Sequence, residues 1–220
     1  MVRRGNPSRL DHLVVAAESL EQGVAFLDEE LGVTLPFGGV HLGMGTHNHL
    51  ARLGEGCFLE IIAPNPLGKT PSHPRWFGLD LPQIRAALKR RPRLMAWVVN
   101  CDDICQTLGG AGYGLGTPTP VSRGTLNWLF SLPADGRLPA GGALPYLIQW
   151  QTDVHPATGM AELGLSFRSL TVRHPEPEWL TEMLASIGAE GLVTVRRCTP
   201  ESEIGLEAVL DTPIGERVLD

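Results

Sequence analysis

Apolar positions run in short blocks along most of the chain, and the spacing inside each block switches between strand and helix periods. Residues 10–17 (Leu-Asp-His-Leu-Val-Val-Ala-Ala) are apolar and β-branched, which predicts a strand. Ser19-Leu20-Glu21-Gln22 has the form of a capping box. Leu20, Val24, Leu27 and Leu31 then form a helical stripe, and Gly32 suits the helix end. A glycine-rich turn leads to a strand-like stretch over 45–53. After Gly54-Glu55-Gly56 comes Cys57-Phe58-Leu59-Glu60-Ile61-Ile62-Ala63, stopped by Pro64. The segment predicts strand, helix, then two or three strands.

The grouping repeats. A basic helix over 82–91 precedes a strand at 94–99, and Asp102 is placed to cap a brief helix through Ile104, Cys105 and Leu108. Strands follow at 125–130 and 146–150, with a loop over 133–142 between them. A third strand-then-helix pair has its strand at 167–172 and its helix over 177–187, whose Trp179, Leu180, Met183, Leu184 and Ile187 form one apolar face. Three more short strands are expected at 191–197, 205–210 and the C-terminus. The β-then-α starts at Leu10, Leu94 and Phe167 point to a divergent repeat of the form β-α-β-β-β.

Composition narrows the classes. The 220 residues carry a net charge of −6, which argues against a broad nucleic-acid or anionic-membrane surface. The 26 glycines and 18 prolines are too aperiodic for collagen, so they mark turns between many short strands. No apolar run is long enough to span a bilayer, and the basic N-terminus lacks a signal-peptide core, so a cytoplasmic protein is expected. Four scattered cysteines (57, 101, 105, 198) suit reduced buried thiols better than a disulfide framework. The glycines at 109–116 never form G-x-G-x-x-G, and G-x-S-x-G, H-E-x-x-H and paired C-x-x-C patterns are also missing.

The blocks at 10–15, 31–33, 45–48 (Gly-Thr-His-Asn) and 58–64, with Gln149-Trp150 and His155-Pro156-Ala157, resemble the vicinal oxygen chelate superfamily, specifically its glyoxalase-like branch (glyoxalase, bleomycin resistance and extradiol dioxygenase types). The resemblance covers roughly 8–215. It implies an α+β fold of repeated βαβββ modules forming a cupped mixed sheet with helices outside. One domain over 8–220 would hold modules at about 8–66 and 92–156 and a partial module at 163–220. It also implies an enzyme, a lyase, isomerase or dioxygenase, acting on a small molecule with vicinal oxygens. The other class open on the same cup is a non-catalytic binding or drug-sequestering protein.

The superfamily often holds a divalent metal between first-strand and last-strand side chains of each module. His12 and Glu60 match the first-module positions, and zinc, iron, manganese or nickel would suit such donors. Strand alternation puts His12 on a face with Leu10 and Val14, and Glu60 on a face with Phe58 and Ile62, both inside the cup. The second module aligns Ala96 on His12 and Gln149 on Glu60, and Ser169 takes the histidine position in the third. His12 and Glu60 are therefore metal ligands, with Gln149 a weak third, or a hydrogen-bonded acid–base pair. Either His47 and His49 or Asn48 faces the cup. Arg123 is an anchor for a substrate oxygen or a surface residue. Trp128 and Trp150 are pocket wall or core. Trp76-Phe77 is a lid or packs under its loop. The partner expected is a small molecule, with a homodimer through strand edges left open.

Overall fold

Two successive β-α-β-β-β runs build one eight-stranded sheet. The computed structural model describes residues 7–111, 113–199 and 204–220, so the basic hexapeptide 1–6 and Gly112 lie outside the described residues. The first run is β1 (Arg9–Ala16), α1 (Leu20–Leu31), β2 (Phe37–His41), β3 (Thr46–Gly54) and β4 (Cys57–Pro64). A connecting helix, α2 (Pro82–Arg90), leads to β5 (Arg93–Asn100), α3 (Ile104–Gly110), β6 (Thr117–Arg123), β7 (Leu126–Leu132) and β8 (Tyr146–Trp150). The strand order is β2-β3-β4-β1-β5-β8-β7-β6. β1 runs parallel to β4 and β5 parallel to β8, and β1 and β5 meet antiparallel at the centre. This is the cupped mixed sheet of the glyoxalase-like α+β fold.

Local chemistry sets the helix ends. The Gln22 amide donates to Ser19 Oγ at 3.3 Å, and Gly32 closes α1 in the left-handed region at φ 70. At α3 the cap is Asp103 rather than Asp102. Asp103 Oδ1 accepts from the Gln106 amide at 2.9 Å, whereas Asp102 pairs with Arg9 on the surface. Helix α2 starts on Pro82, where a missing N–H costs nothing.

Alternation along the central strands separates two buried groups. Leu13, Val15, Leu59, Ile61, Trp97 and Val99 point outward and pack with Leu27 and Leu31 of α1. Val14, Ala96, Val98, Trp128, Phe130 and Ile148 point inward. Leu10 departs from the expected parity and packs with the outward group. The β1–β5 register slips between Leu10 and His12, so Asp11 is an extra residue in a bulge. The slip turns Leu10 away while His12 still faces the cup.

The third run is β9 (Ser166–His174), α4 (Pro177–Ser186), β10 (Thr194–Arg197), β11 (Gly205–Thr212) and β12 (Gly215–Leu219). Its order, β10-β9-β11-β12, differs from the first two runs. Here the strand parallel to the first is the second, β10, whereas β1 and β5 each pair with the last strand of their run. Leu170, Val172, Leu206, Ala208 and Leu210 join the outward core, so this small sheet covers the outside of the large one. Among the described residues no helix is long and apolar enough to cross a membrane.

β2 and β6 are the two edges of the large sheet, and curvature brings them together. Both carry strand-weakening residues, Gly38-Gly39 in β2 and Pro118 and Pro120 in β6, tolerated at edges because no further strand needs their amides. The contact is tight. A Cβ on Gly39 would sit 2.8 Å from Arg123 Cδ, and one on Gly38 would sit 2.5 Å from Asn48 Oδ1. Only glycine leaves room there for the arginine to cross into the cup.

Candidate functional site

Inside the cup, a small cavity of about 30 Å³ is lined by His12, His41, Asn48, Glu60 and Arg123 among aromatic side chains. Because Asp11 is bulged, it turns inward with its neighbour, and its Oδ1 meets His12 Nδ1 at 2.5 Å. Its other oxygen accepts from Trp150 Nε1 at 2.7 Å and Asn100 Nδ2 at 3.3 Å and meets His155 Nε2 at 2.9 Å. Asp11 is fully buried. Burial alone raises such a carboxyl, but the hydrogen bonds and positive charge of His12 and His155 outweigh it and bring Asp11 down to about 2. It is therefore a buried carboxylate. A carboxylate on Nδ1 keeps the proton on that nitrogen and leaves Nε2 of His12 facing the cavity.

Nε2 of His12 lies 3.7 Å from Glu60 Oε2. Glu60 Oε1 accepts from Asn48 Nδ2 at 2.5 Å, and Asn48 Oδ1 accepts from Arg123 Nη1 at 3.1 Å. A polar chain thus runs from Asp11 through His12, Glu60 and Asn48 to Arg123. Burial lowers the Arg123 guanidinium, and Glu60 opposes that shift. His12 stacks on Phe58 with centroids 4.4 Å apart. His41 bonds Thr46 Oγ1 through Nδ1, and burial first, then Arg123, His12 and His47, holds it down at about 3, so it stays neutral.

Of the residues singled out from sequence, His12, Asn48, Glu60, Arg123, Trp128 and Trp150 line this cavity. His47 and Gln149 do not. Asn48 faces inward with Thr46 and Leu50, and His47 and His49 share the outward face with Ala51 and Leu53, where His49 Nδ1 meets the Leu35 carbonyl. Gln149 also points outward, between Ile148 and Trp150, and its Oε1 accepts from the Ile104 amide at the start of α3. Trp76 and Phe77 pack down onto the cavity, 3% and 1% exposed, and Trp76 Nε1 is buried without a partner among the described residues. Asp11, His41 and His155 belong to the site although no sequence pattern assigns them a role in it. The adjacent pair Asp11-His12 carries a signal only once the bulge is known, and His155 reads as turn punctuation because its partner lies far away in the chain.

The glyoxalase-like domain family matches residues 10–188, and the chain belongs to it, within the vicinal oxygen chelate superfamily. No curated protein matches the chain. Among solved structures it is similar to a hypothetical protein from Staphylococcus aureus at 13% identity and a TM-score of 0.60, covering 97% of this chain and 84% of that one. Methylmalonyl-CoA epimerase from Mycobacterium tuberculosis is 22% identical at a TM-score of 0.43, over 68% of this chain and 91% of that one.

Members of the superfamily often use a divalent metal, and the donor set here can be tested for that. His12 and Glu60 offer two donors. From the second run the inward Ala96, Val98, Trp128, Phe130 and Ile148 cannot ligate, and the Tyr146 hydroxyl is committed to the Arg137 carbonyl. Among the described residues no group of three or more His, Cys, Asp or Glu could hold an ion. The guanidinium of Arg123, two hydrogen bonds from Glu60, opposes a second positive charge. The residues do not fit a metal held by side chains.

Proposed function

We propose that the cup is an enzyme site of the isomerase or lyase type, moving a proton at a carbon next to a carbonyl in a small oxygen-rich molecule. The observation that supports it is the His12 Nε2–Glu60 Oε2 separation of 3.7 Å, with the far side of His12 fixed by a buried carboxylate. Glu60 is the base. Its Oε2 takes the proton from carbon, the C–H electron pair forms the C=C bond of an enolate, and the carbonyl π pair moves onto oxygen. Arg123, drawn into the cup by Asn48, hydrogen-bonds that oxygen and supplies the electrostatic stabilisation. Where that carbon also bears a hydroxyl, the hydroxyl proton passes to the former carbonyl oxygen, Glu60 returns its proton to the neighbouring carbon, and the new carbonyl left behind completes an isomerisation. Asp11 acts as a positioning residue, fixing the His12 ring with Nε2 turned toward Glu60. Because the cavity of about 30 Å³ accommodates little more than water, a wall must move to admit substrate, and the Trp76-Phe77 strap is the wall not built on a strand. Phe77 holds a positive φ of 58 there, a strained setting for a residue with a side chain.

The test is deuterium wash-in, followed by proton NMR, over a panel of 2-oxo and 3-oxo acids and their thioesters. Catalysed exchange at the carbon beside the carbonyl, lost by about 10²-fold or more in Glu60→Gln, is expected. Exchange that survives Glu60→Gln, or no exchange with any member, overturns the assignment. The aromatic lining of Trp76, Phe77, Trp128, Phe130 and Trp150 supports the second reading, a sequestering protein. A ligand that co-purifies and is recovered unchanged after incubation would favour it.

A further inference from the structure

Five of the chain's 18 lysines and arginines fall between Arg85 and Arg93, and no acidic residue occurs from Leu81 to Cys101. In a chain of net charge −6 this is a local reversal of sign. The segment forms α2 and the start of β5, and of the nine α2 residues only Leu88 is buried. Its basic end is therefore presented to the surface rather than consumed in the core.

Beside it lies a groove formed by α2, the start of β5, the turn at 139–142 and the start of β11. One part encloses about 470 Å³ and the adjoining part about 220 Å³. They share Ala87, Arg90, Arg93, Leu94, Gly205 and Leu206, so they form one continuous depression. Ile84, Ala87, Met95, Leu138 and Leu206 make the larger part apolar. The smaller part is lined by Arg90, Arg91, Arg93 and Arg173, and Asp220 is the one acid among its described lining residues. Asp220 is bonded to Arg91 at 3.0 Å. Glu207 sits 3.8 Å from Arg173 outside the lining. Arg90 makes no ion pair among the described residues and Arg173 meets Glu207 only at 3.8 Å, so these two guanidiniums are the ones the concave wall offers to an anion.

Two glycines keep the groove open. A Cβ on Gly205 would stand 2.8 Å from Arg173 Nη2 and displace that guanidinium. Gly142, at φ 101, would bring a Cβ to 2.7 Å from the Met95 carbonyl oxygen, so only glycine lets the turn close against β5 at this distance. None of the groove's lining residues lines the cup cavity.

We propose that this groove is a second binding site, for a small amphiphilic anion with an oxyanion head and an apolar body. The arginines take the oxyanion, for which the planar guanidinium fork is suited, and the apolar part between α2 and β11 takes the body. The larger part alone falls in the size range of small-molecule sites. The head is a phosphate, sulfonate or carboxylate, and competition separates these.

The experiment uses the full chain and the fluorescent probe 8-anilinonaphthalene-1-sulfonate, which combines a sulfonate with a flat apolar body. Saturable binding is expected, weakened on the order of tenfold by either Arg90→Gln or Arg173→Gln. Both side chains reach solvent, so the variants keep the fold, which circular dichroism and the urea midpoint verify. Decyl phosphate or decanoate should displace the probe, and whichever does so at lower concentration identifies the preferred head. Decanol, without charge, and inorganic phosphate, without a body, should fail at the same concentration. Amide shifts in nitrogen-15 spectra should centre on Gly141, Gly142 and Gly205. Binding unchanged in both arginine variants, displacement by decanol equal to that by decyl phosphate, or shifts centred on the Trp128 and Trp150 indoles would overturn the proposal.

Discussion

His41 should make the protein acid-sensitive well above the range in which carboxylates titrate. Its ring is 3% exposed, packed edge-on to Trp76, bonded to Thr46 and close enough to Arg123, His12 and His47 to feel their charge. Burial first and those charges second hold it at about 3, against 6.5 for an ordinary histidine. The folded state thus refuses a proton that the unfolded state accepts. The contribution is complete above pH 6.5 and is lost as pH falls toward 3, at about 1.4 kcal/mol per pH unit. Between pH 6.5 and 5 that amounts to about 2 kcal/mol. In urea, with a slope of roughly 2 kcal/mol/M, the midpoint should move by about 1 M. His41→Gln keeps a group able to bond Thr46 but does not titrate. Wild type and variant are melted in urea at half-unit steps from pH 7.5 to 5, and the difference between the two curves cancels the other histidines. This difference should shrink by about 2 kcal/mol at pH 5 relative to pH 7. Parallel curves, or a His41 Cε1 proton resonance titrating near 6.5 in the folded protein, would refute it.

Three further outcomes follow from two acidic side chains, Asp11 and Asp103. Asp11→Asn places an amide N–H where the carboxylate gathers its partners, so it should cost about 3–5 kcal/mol at pH 7 by thermal or urea melts. In wild type the Asp11 contribution should persist above about pH 4 and fade as pH drops toward 2, since this carboxyl is held low. Asp103→Ala should lose about 1 kcal/mol through its helix cap, whereas Asp102→Ala, in a surface pair with Arg9, should change the urea midpoint by less than half as much.

Much of the architecture is legible in residue order because its signals are local. The 146–150 strand and the caps at Ser19 and Gly32 need only neighbouring residues to be read. β6 escapes such a reading because Pro118 and Pro120 argue against any strand, and only its edge position makes them acceptable. The parity of β3 escapes for another reason. Both faces of the sheet are covered, so Leu50 and Leu53 are each buried on opposite sides and alternation loses its contrast. Gln149 illustrates the cost of transferring a position by alignment, since a one-residue offset on a strand carries a side chain to the other face. The site is half legible. His12, Glu60 and Arg123 stand out by residue type, whereas Asp11 and His155 matter only after a bulge and a chain reversal bring them together.

The meeting of β2 and β6 at Gly39 and Arg123 also bears on how the protein avoids sticking to itself. An open eight-stranded sheet presents two rows of unsatisfied backbone groups, each a template for another chain. Curling the sheet until its edges face each other shelters both rows. The proline pair in β6 removes two of the amides that a foreign strand would need. Any breathing motion that parts these edges to widen the cup would bare both templates at once. Ligand entry and aggregation would then draw on the same opening, and a bound molecule that keeps the Arg123–Asn48 bridge shut would protect the chain as well as occupy it.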